Sequence, residues 1–401
     1  MSGKKKLLFV SARLPFPAVE GHQIRTFGVL KELSKDYEIH LLSLLREGEE
    51  INLDDELGRA CESITGVAIP KGVAHLLHSA ITSVVKALPL VVCKYVFPSL
   101  IDEFSKCQAE ISPDVIHLDL LPLAQLSRSV VGNIPVVLNE HNVESALIAQ
   151  KLQTVDSTIE KLIYGREYRL LKKFESEICT EVSTVLACSD KDAELLKNMG
   201  ARSVHCIPNG VDVTRFEPDY TKLDSNHLVF LGGMGWYPNR LGVQWFVNEV
   251  LPLIISKNPK VKLDLVGNPE PKIYLSDEVK NNVIIHGFVD DFRPIVNQAA
   301  IMIVPLHVGS GTRLKVVEAA ALGKCMVSTS KGAEGVMLKA DEQIIFADDA
   351  RDFSEAILDV CHNKDKIISI GSGARIVAET IYDWGVIGIQ LNEIYGALHG
   401  R

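Results

Sequence analysis

Two cations and a carboxylate stand close together in the segment VGSGTRLKVVEAAALGK, residues 308–324. Arg313 and Lys315 follow a glycine-rich run, and Glu318 lies one turn further along an apolar helical pattern. The runs AAIMIVPL before it and CMVSTS after it are β-like, so the segment reads as strand, glycine loop, helix, strand. Such a junction suits an anion. Loop and helix-terminal N–H groups carry partial positive charge, glycine allows close approach, and Arg313 and Lys315 add full charges. A phosphorylated ligand is therefore expected. Leu314, Val317 and Ala321 form an apolar stripe with Glu318 at its edge, where an unpartnered carboxylate is costly. Glu318 is expected to take the two hydroxyls of a ribose; the alternative is an i,i+3 ion pair with Lys315.

His141, in LNEHNVES, follows an apolar strand and precedes a helix. From that strand-end position a neutral imidazole accepts a hydrogen bond or shuttles a proton, unless it is simply a satisfied structural histidine. Glycine loops are also expected after strands at Glu20-Gly21 and Gly232-Gly233. No GxxxxGK[ST] occurs, which excludes a P-loop NTPase, and GGMGWYPN lacks the third glycine of a dinucleotide fingerprint. Asp190-Lys191-Asp192 spells DxD but opens the helix CSDKDAELLKNMG, where capping by Ser189 or Asp190 is the preferred reading. No HExxH-like spacing occurs, and no metal is expected.

The elements that would carry these residues alternate. KKKLLFVSARLPFPAVEGHQIRTFGVLKELSKDYEIHLLSL gives a strand (7–11), a Pro/Gly loop (14–21), a helix (23–34) and a second strand (38–43). Strands at 114–120, 135–142, 182–189 and 203–210 follow, separated by helical stretches. After the polar segment NGVDVTRFEPDYTKLDSN the pattern restarts with HLVFLGGMGWYPN, then VKLDLVGN, VIIHGF, AAIMIVPL, CMVSTS and QIIFA. The expectation is an α/β chain of two Rossmann-like doubly wound parallel-sheet domains facing a central cleft, with a C-terminal helix packing across both. The expected bounds are 1–212, a linker at 213–226, a second domain at 227–378 and a returning helix at 379–401.

Length and composition agree with this. The 401 residues exceed one ordinary core, and 47% hydrophobic with 23% charged residues is a globular balance. A net charge of −9 argues against nucleic acid as a partner. Eight cysteines without a CxxC pair, and no signal peptide ahead of the first strand, indicate reduced thiols in a cytoplasmic protein. GVAHLLHSAITSVVKALPLVVCKYVF (72–97) is broken by His75, His78, Lys86, Pro89 and Lys94 and does not read as a transmembrane segment. It reads as a core helix followed by a strand; the alternative is an amphipathic surface meeting the inner face of a membrane or a lipid-linked acceptor.

Taken together, these segments resemble the GT-B-fold glycosyltransferases, in particular the retaining family 4 group. The resemblance runs through FVSARLPFPAVEGHQIRTF, ACSDKDAELLKNMGARSVHCIPNGVDVTRF, FLGGMGWYPNRLGVQWFVNEVLP and VPLHVGSGTRLKVVEAAALGKCMVSTSKGAEGV. It implies a nucleotide-sugar donor, UDP- or GDP-linked, bound by the second domain, and a glycan or lipid-linked acceptor bound by the first. By the same resemblance Glu318 holds the donor ribose, Gly311 and Thr312 offer N–H groups to the diphosphate, and Arg313 and Lys315 reinforce them. Gly21 lies against the donor phosphates and sugar, and His141 contacts the transferred sugar. Gly232, Gly233 and Ser310 complete the donor set. Ser310 stands where many members carry a glutamate, and Glu20-Gly21 where many carry two glycines. The group is usually metal-independent. Two other readings remain: a nucleotide-sugar epimerase or hydrolase of the same fold, with Glu20, Glu140 and Glu144 as carboxylates, and a non-catalytic nucleotide-sugar-binding scaffold.

Overall fold

A computed structural model of the chain describes residues 3–309 and 313–400. Its first sheet contains β1 (Lys5–Ser11), β2 (Tyr37–Leu45), β3 (Ser63–Ala68), β4 (Val115–Asp119), β5 (Val136–Asn139), β6 (Thr184–Ala187) and β7 (Val204–Cys206). The strands run parallel in the order β3-β2-β1-β4-β5-β6-β7. A second parallel sheet contains β8 (Asp224–Leu231), β9 (Lys262–Val266), β10 (Val283–Gly287), β11 (Ala299–Val304), β12 (Cys325–Ser328) and β13 (Ile345–Phe346), in the order β10-β9-β8-β11-β12-β13.

Both orders are those of a Rossmann-like sheet, as expected from the alternation of strand and helix. Leu7 to Val10 in β1 and all of β11 are buried, as strands covered on both faces require. In each sheet the order reverses beside its first strand, between β1 and β4 and between β8 and β11. Ligands of open α/β sheets collect outside the carboxyl ends at such points.

The chain divides into two compact units, Met1–Pro208 with Ile387–Arg401, and Asn209–Val386. Residues 213–226, read from sequence as a linker, lie in the second unit, and β8 starts among them at Asp224. Each unit has its own apolar core. The Trp384–Ala397 helix passes into the first unit at Ile387. There it buries Ile387, Leu391 and Tyr395, and the Tyr395 hydroxyl bonds to Nδ1 of His117 on β4. The His117 ring in turn stacks 4.0 Å from Phe9 of β1.

Three local expectations change. β3 was not foreseen: of SITGVA only Val67 is buried, so the strand lacks an apolar run. The first helix begins at Gly21, with Glu20 as its N-cap in a capping box with Gln23, so Gly21 is a helix residue and not a loop glycine. The segment 72–97 forms two helices, Gly72–Val85 and Leu90–Tyr95, and neither a core helix nor a strand. A continuous apolar run such as LVVCKYVF does not by itself distinguish strand from helix, and Pro89 at the N-cap starts a helix here.

Tyr395→Phe leaves Nδ1 of His117 buried without its partner. It is expected to lower stability by about 1–3 kcal/mol, seen as a lower urea midpoint with an unchanged far-UV spectrum.

Candidate donor site and a buried polar network

At the switch point of the second sheet, the β8 and β11 loops bring the sequence-predicted cations together with glycine. Gly232 follows β8 with φ +139°, and a Cβ there would lie 2.7 Å from Nζ of Lys315 and 2.5 Å from Nδ2 of Asn239. The missing side chain is what lets these two groups lie on the backbone. Lys315 Nζ donates to Asn239 Oδ1 at 2.8 Å and stands 4.3 Å from the centre of the Phe230 ring. Asn239 Nδ2 donates to the carbonyl of Gly233 at 3.0 Å.

Arg313 is the N-cap residue of the Leu314–Ala321 helix and is buried. Its guanidinium packs on Gly309, where φ is +112° and a Cβ would stand 2.8 Å from Nη2. Ser310, Gly311 and Thr312 lie outside the described residues.

Burial dominates the electrostatics. It pushes the Lys315 ammonium down to about 7, and the neighbouring Arg313 charge acts in the same direction. It also lowers Arg313, against the opposing Glu334 carboxylate. The Glu318 carboxyl is pushed up to about 7 by burial, with Lys315 and Arg215 opposing the shift. Lys315 turns to Asn239 instead of closing the i,i+3 pair, and the Glu318 carboxyl makes no hydrogen bond among the described residues. The arrangement can therefore receive an anion at Lys315 and Arg313 and hydroxyl donors at Glu318.

In the first unit His141 belongs to a buried network at the ends of β4 and β5. Its Nε2 lies 3.0 Å from Asp119 Oδ1. Asp119 also accepts from Asn139 Nδ2 at 2.8 Å and from the Thr26 hydroxyl at 2.7 Å. Arg25 donates twice to Asn139 Oδ1, at 2.7 and 3.2 Å, and to the carbonyl of Ile207 at 2.7 Å. Burial alone would raise the Asp119 pKa. His141 and His117 override it and hold the carboxyl below the usual range. Gly21 is exposed at the start of the helix that supplies Arg25 and Thr26.

Arg25, Thr26, Asp119, Asn139 and Asn239 were missed in the sequence. A signal existed for two of them, since Asp119 and Asn139 are polar residues closing apolar strands, the same cue that selected His141. Glu140, between Asn139 and His141, is buried with both carboxyl oxygens free of hydrogen bonds, and burial raises its pKa with Glu175 and Glu144 adding to the shift. Asp190 and Asp192 are occupied at a helix start: Ser189 accepts from the Asp192 N–H at 3.1 Å and donates to its carboxylate at 2.6 Å. Among the described residues no group of His, Cys, Asp or Glu is placed to hold a metal ion.

Two parallel Rossmann-like sheets, each with a topological switch point beside its first strand, define an α/β protein of GT-B type. Residues 21–215 match the model for Glycosyltransferase Family 4, and residues 225–363 match that for Glycosyl transferases group 1. The chain belongs to the GT-B-fold glycosyltransferases of the family 4 group, and is a transferase. It is 24% identical over 396 residues to an uncharacterized 44.6 kDa protein of the cps region of Klebsiella pneumoniae, covering 94% of this chain and 96% of that one. Among solved structures it is similar to sucrose-phosphate synthase from Thermosynechococcus elongatus (TM-score 0.71, 15% identity, 99% of this chain and 100% of that). HepE of Anabaena in complex with UDP is also similar (TM-score 0.67, 14% identity, 98% and 100%).

Two outcomes are expected. Asn139→Leu removes the bridge between buried Arg25 and Asp119 and should cost about 3–5 kcal/mol in urea unfolding. Lys315 sheds its proton near 7 when folded but near 10.5 when unfolded, so between those values the unfolded chain holds the extra proton. Its cost to stability is full below about 7 and fades as pH rises. Wild type should therefore gain on Lys315→Met between pH 7 and pH 10, measured as the difference between their urea midpoints.

Proposed function

We propose that the chain moves a sugar from a nucleotide-diphosphate sugar to a glycan or lipid-linked acceptor, with retention of configuration, as a hexosyltransferase-like enzyme of cell-surface polysaccharide synthesis. The observation that carries this reading is the packing of Lys315 and Asn239 onto Gly232 at the sheet's switch point, with Arg313 beside it and Glu318 unengaged. A diphosphate there meets the buried Arg313 and the half-buried Lys315, and the charge that develops as it departs is neutralised by groups already in place, the term that usually dominates such catalysis. Glu318 is assigned to the ribose hydroxyls, and the N–H groups of Gly311 and Thr312 to the diphosphate. Charge neutralisation falls to Arg313 and Lys315, and no metal ion is assigned a part.

His141 is assigned to the transferred sugar. Asp119 engages its Nε2, which leaves Nδ1 as the nitrogen for a sugar hydroxyl. UDP is the nucleotide favoured, since the similar HepE is in complex with it, and similarity to WaaG, a glycosyltransferase involved in lipopolysaccharide biosynthesis, supports the polysaccharide assignment. The eight free cysteines support a cytoplasmic setting.

Thermal shift against UDP, GDP, ADP and their common sugars tests the donor. A ligand at about 100 times its dissociation constant adds roughly 2.7 kcal/mol and raises the midpoint clearly. A UDP-sugar is expected to do so. Glu318→Ala should weaken binding by about 1.5–3 kcal/mol, and an NMR assignment of the product anomer should show retention. Absence of a shift with every nucleotide-sugar would sink the donor reading, and an inverted product would sink the stereochemical one.

A further inference from the structure

Side chains alternate where β5 ends: Asn139 and His141 turn to Asp119, and Glu140 between them turns the other way. Glu140 is 2% exposed, and neither of its carboxyl oxygens has a hydrogen-bond partner among the described residues. The backbone at this point is pinned. The Glu140 N–H donates to the Leu186 carbonyl at 2.9 Å, and its carbonyl accepts from the Cys188 thiol at 3.4 Å.

Every element on this side brings a carboxyl or a thiol. The Glu144–Thr154 helix carries Glu144, the Thr158–Glu181 helix Glu175 and Cys179, the Asp190–Asn198 helix Asp192, and the turn beyond β6 Cys188. Glu175, Glu144 and Asp192 all act on Glu140, and among the described residues no cation does. Arg25 acts on Cys188, but its guanidinium is bonded to Asn139 and to the Ile207 carbonyl. Burial keeps both thiols protonated, pushing Cys188 up to about 11 and Cys179 higher still.

Glu175 ties this cluster to His141. Its carboxylate accepts from the N–H groups of Glu144 at 2.8 Å and Ser145 at 3.3 Å and from the Ser145 hydroxyl, closing the turn that begins at Glu140. Val143, the N-cap residue, offers no side-chain cap, and Glu175 takes over that task from another helix. The capped helix is lightly held, since Ser145 alone is buried among its described side chains. An anion at Glu140 would face three carboxyls and no donor, a costly burial. The least costly relief is outward movement of the 140–145 turn, which breaks the bonds to Glu175 and draws His141 Nε2 from its place 3.0 Å from Asp119.

We propose that Glu140 is a proton-operated latch: as the neutral acid it seats the 140–145 turn and holds His141 against Asp119, and on ionising it releases both. The latch stands on the surroundings of Glu140; its bearing on sugar transfer rests on the role given above to His141.

Hydrogen exchange of the full chain, normalised for the intrinsic effect of pH, tests it without any nucleotide-sugar, so failure of the donor reading leaves the result intact. Folded, Glu140 keeps its proton well above 4.5, where the unfolded chain sheds it, so the folded state binds more protons and its stability declines as pH rises from there. Wild type is expected to lose protection in 140–154 about tenfold or more between about pH 6 and about pH 9. Glu140→Gln, which keeps the shape of the neutral acid, should retain that protection at both values, whereas Glu144→Gln should lose it as the wild type does. No loss in the wild type, an equal loss in a folded Glu140→Gln protein, or a loss that Glu144→Gln abolishes overturns the proposal. So does a loss confined to 147–154, because fraying of the helix alone leaves His141 in place. If Glu140→Gln does not fold, wild type and Glu144→Gln decide: a loss in 140–146 shared by both supports the latch, and its absence from either overturns it.

Discussion

A carboxylate removed from water must be surrounded by donors, and Asp119 is where the first unit meets this requirement. The groups that satisfy it come from far apart in the chain: Thr26 from the first helix, Asn139 from the end of β5, and His141 just beyond it. Asn139 carries the constraint further, because its amide oxygen accepts from Arg25 while its nitrogen serves Asp119. Opposite charges are thus joined through a neutral amide, and Arg25 reaches on to the carbonyl of Ile207 at the last strand of the sheet. Four separate stretches have their relative positions set by one buried anion.

The second unit solves a different problem at the corresponding place. Its polar groups are cations, and they are accommodated by the absence of side chains at Gly232 and Gly309. Where Asp119 is satisfied within its own network, the Glu318 carboxyl accepts no hydrogen bond among the described residues. Burial brings the Lys315 and Glu318 pKa values towards each other. A closed network suits positioning, and an open one suits binding.

Much of this was legible in the sequence. Continuous apolar runs between turn residues identify β1, β4, β11 and β12, because strands covered on both faces admit little else. Residue type singled out Arg313 and Lys315, and the structure places them against Gly309 and Gly232. What escaped detection depended on partners distant in the chain. Nothing local to GHQIRTFGVL says that Arg25 will be buried, since its acceptors lie at Asn139 and Ile207. The pairing of Lys315 with Asn239, preferred to the nearer Glu318, is likewise invisible to helical spacing. The 72–85 pattern was legible as amphipathic, but periodicity gives two faces and not which one looks inward.

The Ile387–Arg401 segment has a consequence for the order in which the protein is made. Because Ile387, Leu391 and Tyr395 belong to the core of the unit that begins the chain, that unit is discontinuous in sequence, with the whole of Asn209–Val386 inserted into it. On the ribosome the inserted unit emerges before the last core residues of its host. The first unit therefore waits on the second, with its apolar seat beside β1 and β4 uncovered until the final helix arrives.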